Sequence, residues 1–405
     1  MKILIAYLSD SNDTREFSTG ILPSGIFPIG TALEKEGHEV IIANFSHIGH
    51  SRALHKIIDI APDIAAFSLL THNRTDTIRL TREIKKNDRK IITVLGGPHA
   101  SAMAHAIAKR YTEIDHIVTG DGVKGMTRLV HILSGGIKGD RIIDGTSVIP
   151  DVGSVSECCF QGKTIGVNTH EQFKFISSGN FCSAGSILTR YSGANVIIPH
   201  RPDAIEIVNK IEHFYRTHGI IYFSFRDESF AADKSLICEV SREIIRRRLY
   251  VMWNCQAFPA PIDSETLICM KNAGCERIIL SAESGSDKIL DILETGSHVQ
   301  DIISSAALIR KAGLYLTLFL RVGINEENLS DIRKTNALIR KTLPGEGIIA
   351  PAVYYPGTVA WEKAVRDQLI DENSVFNSKG QSLYLRSDPE VRRWMEEIHT
   401  AFSLT

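Results

Sequence analysis

Short apolar runs alternate with amphipathic helical patterns along most of this chain. In the first third, β-branched runs cover residues 2–8, 38–44, 63–69, 91–95 and 115–118. Each run is followed by a helical pattern, at about 25–36, 50–59, 73–86, 101–109 and 122–134. Strands that alternate with helices of this length form parallel βαβ units. Five such units predict a doubly wound α/β domain of the flavodoxin or Rossmann type over residues 1–135, with ligands beyond the carboxyl ends of the strands.

The alternation stops and then resumes. Residues 136–172 are irregular and Gly-rich, and they predict a linker with one or two short strands. Six strand-like runs follow at 173–177, 219–225, 249–254, 276–282, 314–322 and 347–354, with helical stretches at about 203–217, 233–247, 263–273, 299–312 and 329–342. Six strands are too few for a closed eight-fold barrel and predict a partial (β/α)6 barrel over 173–365, with active residues at the carboxyl ends of its strands. Residues 366–405 predict a C-terminal helical extension, because Asp388 suits an N-cap and Pro389 the first helical position.

Composition limits the classes of function. A chain of 405 residues exceeds what one hydrophobic core usually organises, which favours two domains. The net charge of −1 gives no basic surface for nucleic acid, and no apolar run approaches the ~20 residues of a membrane helix. Seven cysteines, mostly inside apolar elements, indicate a reducing compartment. We therefore expect a cytoplasmic protein that acts on a small molecule; the sequence does not indicate an oligomeric state.

Small and polar residues follow three neighbouring strands of the first predicted domain. Glycines there let the backbone approach a flat ligand closely, and hydroxyls offer hydrogen bonds to it. Taken in order, the stretches 22–30, 62–68, 92–99 and 114–122 resemble the cobalamin-binding domain that precedes many radical S-adenosylmethionine enzymes. The resemblance implies a cobalamin site formed by Ser68, Thr71, Gly96, Gly97, His99, Gly120, Asp121 and Gly122.

The resemblance leaves the cobalt ligand and the occupancy of this domain open. No Asp-x-His-x-x-Gly run is present, so no histidine from such a loop is implied. His72 and His99 are either cobalt ligands or polar groups at a loop edge. Such domains can also persist without cobalamin.

The predicted barrel carries motifs of the same enzyme family. Residues 273–286 resemble "A-G-C-x-x-I-x-x-G-I-E-S-G-S", in which the Glu-Ser pair lies near the ribose and methionine parts of S-adenosylmethionine. Arg321 and Val322 end the fifth strand, before a stretch that resembles "G-x-P-G-E-T". The resemblance implies that Glu283, Ser284, Arg321 and Val322 bind this cofactor. A guanidinium such as that of Arg321 can hold a carboxylate through two hydrogen bonds.

Two further stretches supply candidate catalytic residues. Residues 223–230 resemble "F-x-D-D-x-F" and place Asp227 and Glu228 at the barrel mouth. These carboxylates either hold a substrate amine and take a proton, or form a salt-bridged loop with Arg226. Tyr354 begins a stretch that resembles the closing "P-x-P-G-T" element, whose residues flank the adenine or the substrate.

The family's cluster-binding motif has lost its cysteines. The segment 177–187 resembles "S-R-G-C-x-x-x-C-x-x-C", where three thiolates hold a four-iron cluster, but its ligand positions are Asn180, Ala184 and Ile187. None of these side chains supplies the anionic sulfur that such a cluster needs. Arg201 lies where relatives carry an Arg-containing run, so the alignment needs no gap. We expect no iron–sulfur cluster and no metal ligands; the alternative is a cluster rebuilt from other cysteines, with candidates at positions 158, 159 and 182.

These features predict an enzyme of radical S-adenosylmethionine architecture that works without the cluster. It would use S-adenosylmethionine, with or without cobalamin, for polar methyl or alkyl transfer in small-molecule biosynthesis, or for an elimination or cyclisation. Two other functions stay open. One is a non-catalytic cobalamin- or S-adenosylmethionine-binding sensor or pseudoenzyme, and the other is a radical methyltransferase with an atypically ligated cluster.

Overall fold

The protein is described by a computed structural model at residues 1–9, 21–46, 48–137, 139–146, 160–177, 186–191, 202–227, 230–259, 262–376, 383–386 and 389–403. It divides into two compact units, the first built mainly from Met1–Gln172 and the second mainly from Ile198–Val375. The domain boundaries expected at residues 135, 172 and 365 stay predictions. No helix in the described ranges is both long and apolar enough to cross a membrane.

The first unit contains a parallel sheet. Its seven described strands are β1 (Lys2–Tyr7), β2 (Glu39–Asn44), β3 (Ile64–Ser68), β4 (Ile92–Gly96), β5 (His116–Thr119), β6 (Ile142–Asp144) and β7 (Lys163–Ile165). They lie in the order β6-β5-β4-β3-β1-β2-β7. The helices that precede the second sheet are α1 (Ile26–Lys35), α2 (His50–Ile60), α3 (Arg74–Asn87), α4 (Pro98–Ala102), α5 (Ala104–Arg110), α6 (Gly122–Ser134) and α7 (Thr169–Phe173). The order 2-1-3-4-5 of the first five strands is that of the flavodoxin-like doubly wound fold.

One local feature of this unit differs from the sequence expectation, and the short strands expected in the segment 136–172 are present. The single helix predicted at 101–109 is two helices, α4 and α5, which meet at Met103. Helix α4 begins earlier than expected because Gly97 turns the chain sharply and Pro98 occupies the first helical position. The strands β6 and β7 arise from the segment 136–172 and pair with β5 and β2 at opposite edges of the sheet.

The second unit is a row of parallel strands joined by helices. Its described strands are β8 (Phe175–Ile176), β9 (Tyr222–Phe225), β10 (Met252–Ala257), β11 (Cys275–Glu283), β12 (Tyr315–Val322) and β13 (Glu346–Pro351). Each strand pairs with its neighbours in sequence order, and within the described residues β8 and β13 remain the open ends of the row. The helices are α8 (Ala204–His218), α9 (Lys234–Arg246), α10 (Ser264–Asn272), α11 (Asp287–Ile292), α12 (Val299–Lys311), α13 (Leu329–Thr342), α14 (Val359–Arg366) and α15 (Pro389–Ser403). The expected partial (β/α)6 arrangement is confirmed.

Local sequence signals explain the helix boundaries of this unit. The carboxylates of Asp203, Asp233 and Asp263 accept hydrogen bonds from first-turn N–H groups and so cap α8, α9 and α10. In α15, Trp394 and Ile398 lie four residues apart and are buried on one helix face. The predicted N-cap of that helix, Asp388, lies outside the described residues.

The two faces of the second sheet have different chemistry, because side chains alternate between faces along each strand. One face is apolar and fully or almost fully buried, with Phe223, Phe225, Trp253, Cys255, Ile278, Leu280, Leu316, Leu318 and Leu320. The opposite face carries Ser224, Asn254, Gln256, Ser281, Phe319 and Arg321. The apolar face packs under the helices, which leaves the polar face for the barrel interior. The fold therefore presents polar groups where a small molecule would bind.

Candidate functional site

In the first unit, the predicted cofactor residues lie along the carboxyl edge of the sheet. The strand order reverses between β1 and β3, which is where doubly wound folds bind ligands. There the hydroxyl of Tyr7 lies 2.8 Å from Nε2 of His72. The amide of Asn73 donates to the carbonyls of Leu8 (2.9 Å) and Ser68 (3.1 Å), and so ties the ends of both strands together. These hydrogen bonds hold the ends of β1 and β3 in place at the switch point.

His99 lies deep at this edge as a neutral imidazole. Its Nδ1 is 3.1 Å from the hydroxyl of Thr71, and Arg74 donates to the Thr71 carbonyl. Burial, and secondarily the charge of Arg74, lowers the pKa of His99 to about 3. Its Nε2 is buried and has no hydrogen-bond partner among the described residues. A buried imidazole nitrogen with unused hydrogen-bonding capacity is a reason to expect a ligand or a water there.

Glycines shape the same edge. Gly97 has φ +102°, and a Cβ there would lie 3.0 Å from the carbonyl oxygen of Leu69. Gly120 has φ +72°, and its N–H donates to the hydroxyl of Ser101 (3.1 Å). A Cβ on Gly122 would lie 2.7 Å from Cδ1 of Ile29. These positions exclude side chains for local steric reasons.

Three other predicted residues have structural partners at this edge. Asp121 caps α6, because its Oδ1 accepts from the N–H groups of Val123 and Lys124. The carbonyl of Gly96 accepts from the Leu69 N–H (2.7 Å). Ser68 is half-buried at the end of β3. The structure brings all eight predicted residues to one edge of the sheet.

In the second unit, Glu283 has an unusual backbone. Its φ of +58° is left-handed, and the N–H of Ser284 donates to the carbonyl of Ala282 (2.6 Å) across it. The pairing with β12 is irregular at the same place. A bulge of this kind re-aims a side chain, and strained residues of this type cluster at functional sites.

The re-aimed carboxylate meets Arg321 of the neighbouring strand. Oε2 of Glu283 lies 2.8 Å from Nε of Arg321, and the side chains are 7% and 10% exposed. The N–H does not point at the oxygen, so both atoms retain unused hydrogen-bonding capacity. Burial raises the pKa of Glu283, and the Arg321 charge opposes that rise. An imperfectly aligned, buried ion pair is a site that a ligand with a donor and an acceptor can complete.

The chain after Glu283 is fixed to α13. The N–H of Gly285 donates to Oγ1 of Thr335 (3.0 Å), and a Cβ on Gly285 would lie 2.4 Å from the Thr335 Cα. The hydroxyl of Ser286 donates to the Asp331 carboxylate (2.8 Å). Ser284 is buried, and its Oγ accepts from the Ser286 N–H (3.2 Å). These bonds support the strained turn.

The predicted catalytic acids lie at the same edge of the second sheet, as far as they are described. Asp227 follows β9, is 5% exposed, and accepts a hydrogen bond from the hydroxyl of Ser177 (3.1 Å). Glu228 lies outside the described residues. Asp227 is therefore a buried carboxyl group at this edge, as Glu283 is.

Tyr354 and Val322 occupy different environments. The amide of Asn325 donates to the hydroxyl of Tyr354 (3.1 Å), and burial raises the pKa of that hydroxyl. Val322 is fully buried, and its carbonyl accepts from the Ala352 N–H (2.8 Å).

Sequence reasoning missed a buried acid, Glu327, which is 4% exposed. Its Oε2 accepts from the N–H of Gly323 (2.7 Å), and burial raises its pKa to about 7. It also missed the polar pairs on the inner sheet face. Ser224 donates to Asn254 (2.7 Å), and Gln256 donates to Ser281 (2.8 Å). The alternation in "Y-F-S-F" and "W-N-C-Q-A" was the signal that could have found these pairs.

The predicted cluster loop is described only at its end. Asn180, Ala184, Arg201 and the cysteines at 158, 159 and 182 lie outside the described residues. Ile187, at the third ligand position, is 7% exposed. Its N–H donates to Leu293 (2.9 Å), and its carbonyl accepts from Ala360 (3.0 Å). This position holds a buried apolar side chain.

Comparisons with known proteins agree with this architecture. The sequence model of the B12 binding domain matches residues 15–130, and that of the radical SAM superfamily matches residues 180–339. An uncharacterized methyltransferase, PH0819, of Pyrococcus horikoshii is 23% identical over 399 residues, which is 91% of this chain and 84% of that protein. The anaerobic magnesium-protoporphyrin IX monomethyl ester cyclase of Cereibacter sphaeroides is 23% identical over 373 residues, 83% of this chain and 59% of that protein.

Two solved structures share the fold. The radical S-adenosylmethionine methyltransferase TsrM from Kitasatospora setae, with tryptophan and a cofactor analogue bound, has a TM-score of 0.70 at 16% identity, covering 91% of this chain and 76% of that chain. The cobalamin-dependent S-adenosylmethionine radical enzyme OxsB, with aqua-cobalamin and S-adenosylmethionine, has a TM-score of 0.69 at 14% identity, covering 96% and 64%. At these identities the likeness shows the fold, and the expected fold class is confirmed.

Proposed function

Because the chain belongs to the radical S-adenosylmethionine enzymes that carry a B12-binding domain, we propose that it uses S-adenosylmethionine for polar group transfer to a small molecule. It is a transferase or cyclase of the S-adenosylmethionine-dependent kind. Within that class, the reaction we propose is methyl or alkyl transfer without an iron–sulfur cluster. Elimination or cyclisation in the same pocket is the second candidate, favoured by the similarity to the cyclase.

The donor set supports chemistry without a cluster. Asn180, Ala184 and Ile187 stand at the positions of the three thiolates, and none of them can provide anionic sulfur. These residues do not fit the cluster that TsrM binds. Without that electron source, reductive cleavage of S-adenosylmethionine has no route through this loop.

The observation that carries the proposal is the buried ion pair between Glu283 and Arg321. A zwitterionic methionine group carries a carboxylate for the guanidinium and an ammonium for the carboxylate, so the pair fits S-adenosylmethionine. In this proposal Arg321 holds the carboxylate by a charge-assisted bidentate contact. Glu283 holds the ammonium or the ribose hydroxyls, with Ser284 and Val322 beside it. When bound, S-adenosylmethionine supplies an electrophilic methyl group on a sulfonium.

Acidic side chains of the protein accept the proton that the reaction releases. Asp227, with Glu228 next to it, takes a proton from the accepting atom of the substrate. Tyr354 flanks the substrate or the adenine, and its raised pKa keeps the hydroxyl protonated. The polar inner face of the sheet orients the small molecule, which lowers the entropy cost of the reaction.

The first unit fits cobalamin as a second cofactor. Gly97 and Gly120 lie at adjacent strand ends with left-handed φ values, and Nε2 of His99 has no hydrogen-bond partner among the described residues. In this proposal the residues that hold it are Ser68, Thr71, Gly96, Gly97, His99, Gly120, Asp121 and Gly122. Cobalamin supplies a carrier for the methyl group, and an empty or sensory domain is the alternative.

We further propose the domain division 1–135, 136–172, 173–365 and 366–405 and a cytoplasmic location. The small-molecule partner follows from the polar sheet face, and we propose no nucleic-acid partner because the charge is near zero.

The product formed from S-adenosylmethionine tests the proposal. The anaerobically purified chain is incubated with S-adenosylmethionine, a reductant and cob(I)alamin as methyl acceptor. We expect S-adenosylhomocysteine and the absorption spectrum of methylcobalamin, and a reduced yield from Glu283→Gln. Release of 5′-deoxyadenosine, with about four irons per chain, would instead establish a radical enzyme with an atypically ligated cluster. Binding of S-adenosylmethionine without any product favours the sensor function.

A further inference from the structure

The guanidinium of Arg321 has a second neighbour besides Glu283. Its carbon atom Cζ lies over the ring of Phe319, 5.0 Å from the ring centroid. Both residues belong to β12 and are two positions apart, so their side chains point to the same face of the sheet. Phe319 is half-buried there, and the side chain of Arg321 is 10% exposed. The guanidinium therefore contacts both an aromatic ring of its own strand and a carboxylate of β11.

The ring contact and the ion pair make different demands on the guanidinium. A cation over an aromatic face is attracted by the ring, and the attraction is strongest where water is excluded. An ion pair with a carboxylate is strongest when two parallel N–H groups point at the two oxygens. Nε of Arg321 lies 2.8 Å from Oε2 of Glu283, yet its N–H does not point at that oxygen. The arrangement therefore keeps the ring contact and leaves the ion pair imperfectly aligned.

We propose that Phe319 is a positioning residue, whose ring holds the Arg321 guanidinium away from a closed pair with Glu283 and keeps its N–H groups available for the carboxylate of S-adenosylmethionine. This inference rests on the function proposed above and deepens it, because it names what determines the preference of that site for a ligand with a carboxylate. The role does not require Phe319 to touch the cofactor.

The residue beside Arg321 on the other neighbouring strand does not compete for its guanidinium. In the register of β12 and β13, Arg321 is opposite Ala350, which is partly exposed. Adjacent strands are about 4.8 Å apart, so the neighbouring side chain on this side is a methyl group, which has no charge and no hydrogen-bonding atom. A ligand carboxylate therefore meets no competing side chain at position 350.

Loss of the ring should allow the ion pair to close. Without an aromatic face beneath it, the guanidinium gains most from two aligned hydrogen bonds to Glu283, and a ligand carboxylate must then displace that acid. We expect the affinity for such a ligand to fall about 5- to 30-fold. At about 1.4 kcal/mol per decade this fall is about 1–2 kcal/mol, the strength of a cation–π contact at a partly desolvated site.

Calorimetry with two ligands tests the proposal on the full chain. S-adenosylmethionine and decarboxylated S-adenosylmethionine share the adenosine, the sulfonium and the amine, and they differ in the carboxylate. The wild type should bind S-adenosylmethionine more tightly, and Phe319→Leu should lose most of this preference. Binding of the decarboxylated ligand should stay nearly unchanged, since the Glu283 carboxylate has acceptor capacity for both Arg321 and an ammonium. Phe319→Tyr retains the aromatic face and should keep both affinities.

Tyr315→Leu is the matched control. The guanidinium of Arg277 lies over the Tyr315 ring, 4.6 Å from the ring centroid, so this variant also removes an aromatic face from beneath an arginine. Tyr315 is on the same strand as Phe319 but four residues nearer its amino end, which is about 13 Å away. Tyr315→Leu should therefore leave the affinities for both ligands unchanged.

The outcomes separate this inference from the proposed function. If the wild type does not bind S-adenosylmethionine, the proposed function is wrong and the inference fails with it. If the wild type binds it and Phe319→Leu weakens both ligands alike or neither, the proposed function stands and the positioning role of Phe319 is overturned. Equal losses in Phe319→Tyr and Phe319→Leu would also overturn it. Phe319→Met lacks the ring and adapts well to core gaps, so it provides the same test if circular dichroism shows that Phe319→Leu does not fold.

Discussion

The two sheets of this protein present opposite chemistry at their carboxyl edges. At the edge of the first sheet the buried imidazole of His99 is uncharged beside the buried guanidinium of Arg74, and Gly97 and Gly120 have left-handed backbone conformations. The edge of the second sheet contains a buried ion pair, Glu283 with Arg321, on a strained turn. The first edge suits a large ligand recognised by shape and backbone contacts, and the second suits a small ligand that carries charge.

Removing one charge from the second edge should give the largest effect. Arg321→Ala leaves the buried Glu283 carboxylate unpaired, and breaking a buried pair typically costs about 3–5 kcal/mol of folding free energy. The matched control is Arg277→Ala, which removes a partly exposed contact with Glu346 and should cost about 1 kcal/mol or less. Denaturant unfolding followed by tryptophan fluorescence measures both, because Trp253, Trp361 and Trp394 all lie in the second unit. Equal losses of unfolding free energy in the two variants would show that the buried ion pair stabilises the fold no more than the partly exposed contact does.

The same arginine should dominate binding of S-adenosylmethionine. Losing hydrogen bonds to a charged group costs about 1.5–3 kcal/mol, which weakens the dissociation constant roughly 10- to 150-fold. Arg321→Lys keeps the charge but loses the planar fork, so its affinity should lie between those of wild type and Arg321→Ala. Calorimetry on the three proteins checks this order. If Arg321→Ala binds S-adenosylmethionine as tightly as the wild type does, the carboxylate of the cofactor does not bind at Arg321.

The sequence predicted only part of the difference between the two edges. The alternation of apolar runs and helical patterns predicted two sets of parallel βαβ units, because such units leave few topologies, but it left the strand order of the first sheet open between the flavodoxin and Rossmann types. The motif at Glu283 and the position of Arg321 after the fifth strand predicted that both residues lie at one sheet edge. Their mutual contact was not predictable, since it depends on a left-handed φ that a non-glycine residue rarely adopts.

Burial was the other property that the sequence left undetermined. His99 was expected to be either a cobalt ligand or a polar group at a loop edge, and the sequence did not indicate that it is only 2% exposed at the start of α4. Glu327 gave no signal beyond its place in the loop after β12, and its raised pKa follows from long-range packing. Tertiary packing of this kind has no local pattern to read.

Adding a Cβ to a glycine at the first edge should change the free energy of unfolding by an intermediate amount. Gly97→Ala places a Cβ at 3.0 Å from the Leu69 carbonyl at a φ of +102°, and strain of this kind costs about 1–3 kcal/mol. The adjacent Gly96→Ala is the matched control, because its nearest neighbour would be 3.8 Å away and its effect should stay within about 0.5 kcal/mol. Circular dichroism during denaturation measures stability, and hydroxocobalamin titration measures binding. Equal behaviour of the two variants would show that shape does not control this edge.

The smallest effect should be the pH dependence of the free energy of unfolding. Its sign should be opposite in the two units. His99 has a pKa of about 3 when folded and 6.5 in its ordinary state, so the unfolded chain binds more protons between these values. Stability of the first unit should therefore rise with pH from about 3 to 6.5. Glu327 has a pKa of about 7 when folded and 4.5 ordinarily, so the folded chain binds more protons in that window. Stability of the second unit should fall as the pH rises from about 4.5 to 7.

One titrating group changes the free energy of unfolding by at most about 1.4 kcal/mol per pH unit. Two variants separate the contributions of His99 and Glu327. Glu327→Gln should flatten the fall seen by tryptophan fluorescence, since the amide cannot ionise, and it should leave the circular-dichroism slope of the first unit unchanged. His99→Gln should do the reverse, because it removes the imidazole that takes up a proton on unfolding. The stability measured by tryptophan fluorescence could still fall between pH 5 and 7 in Glu327→Gln. In that case a group other than Glu327 holds the proton in the folded chain. Glu327 would then be ionised in the folded chain at these pH values and would add its charge to those of Glu283 and Arg321.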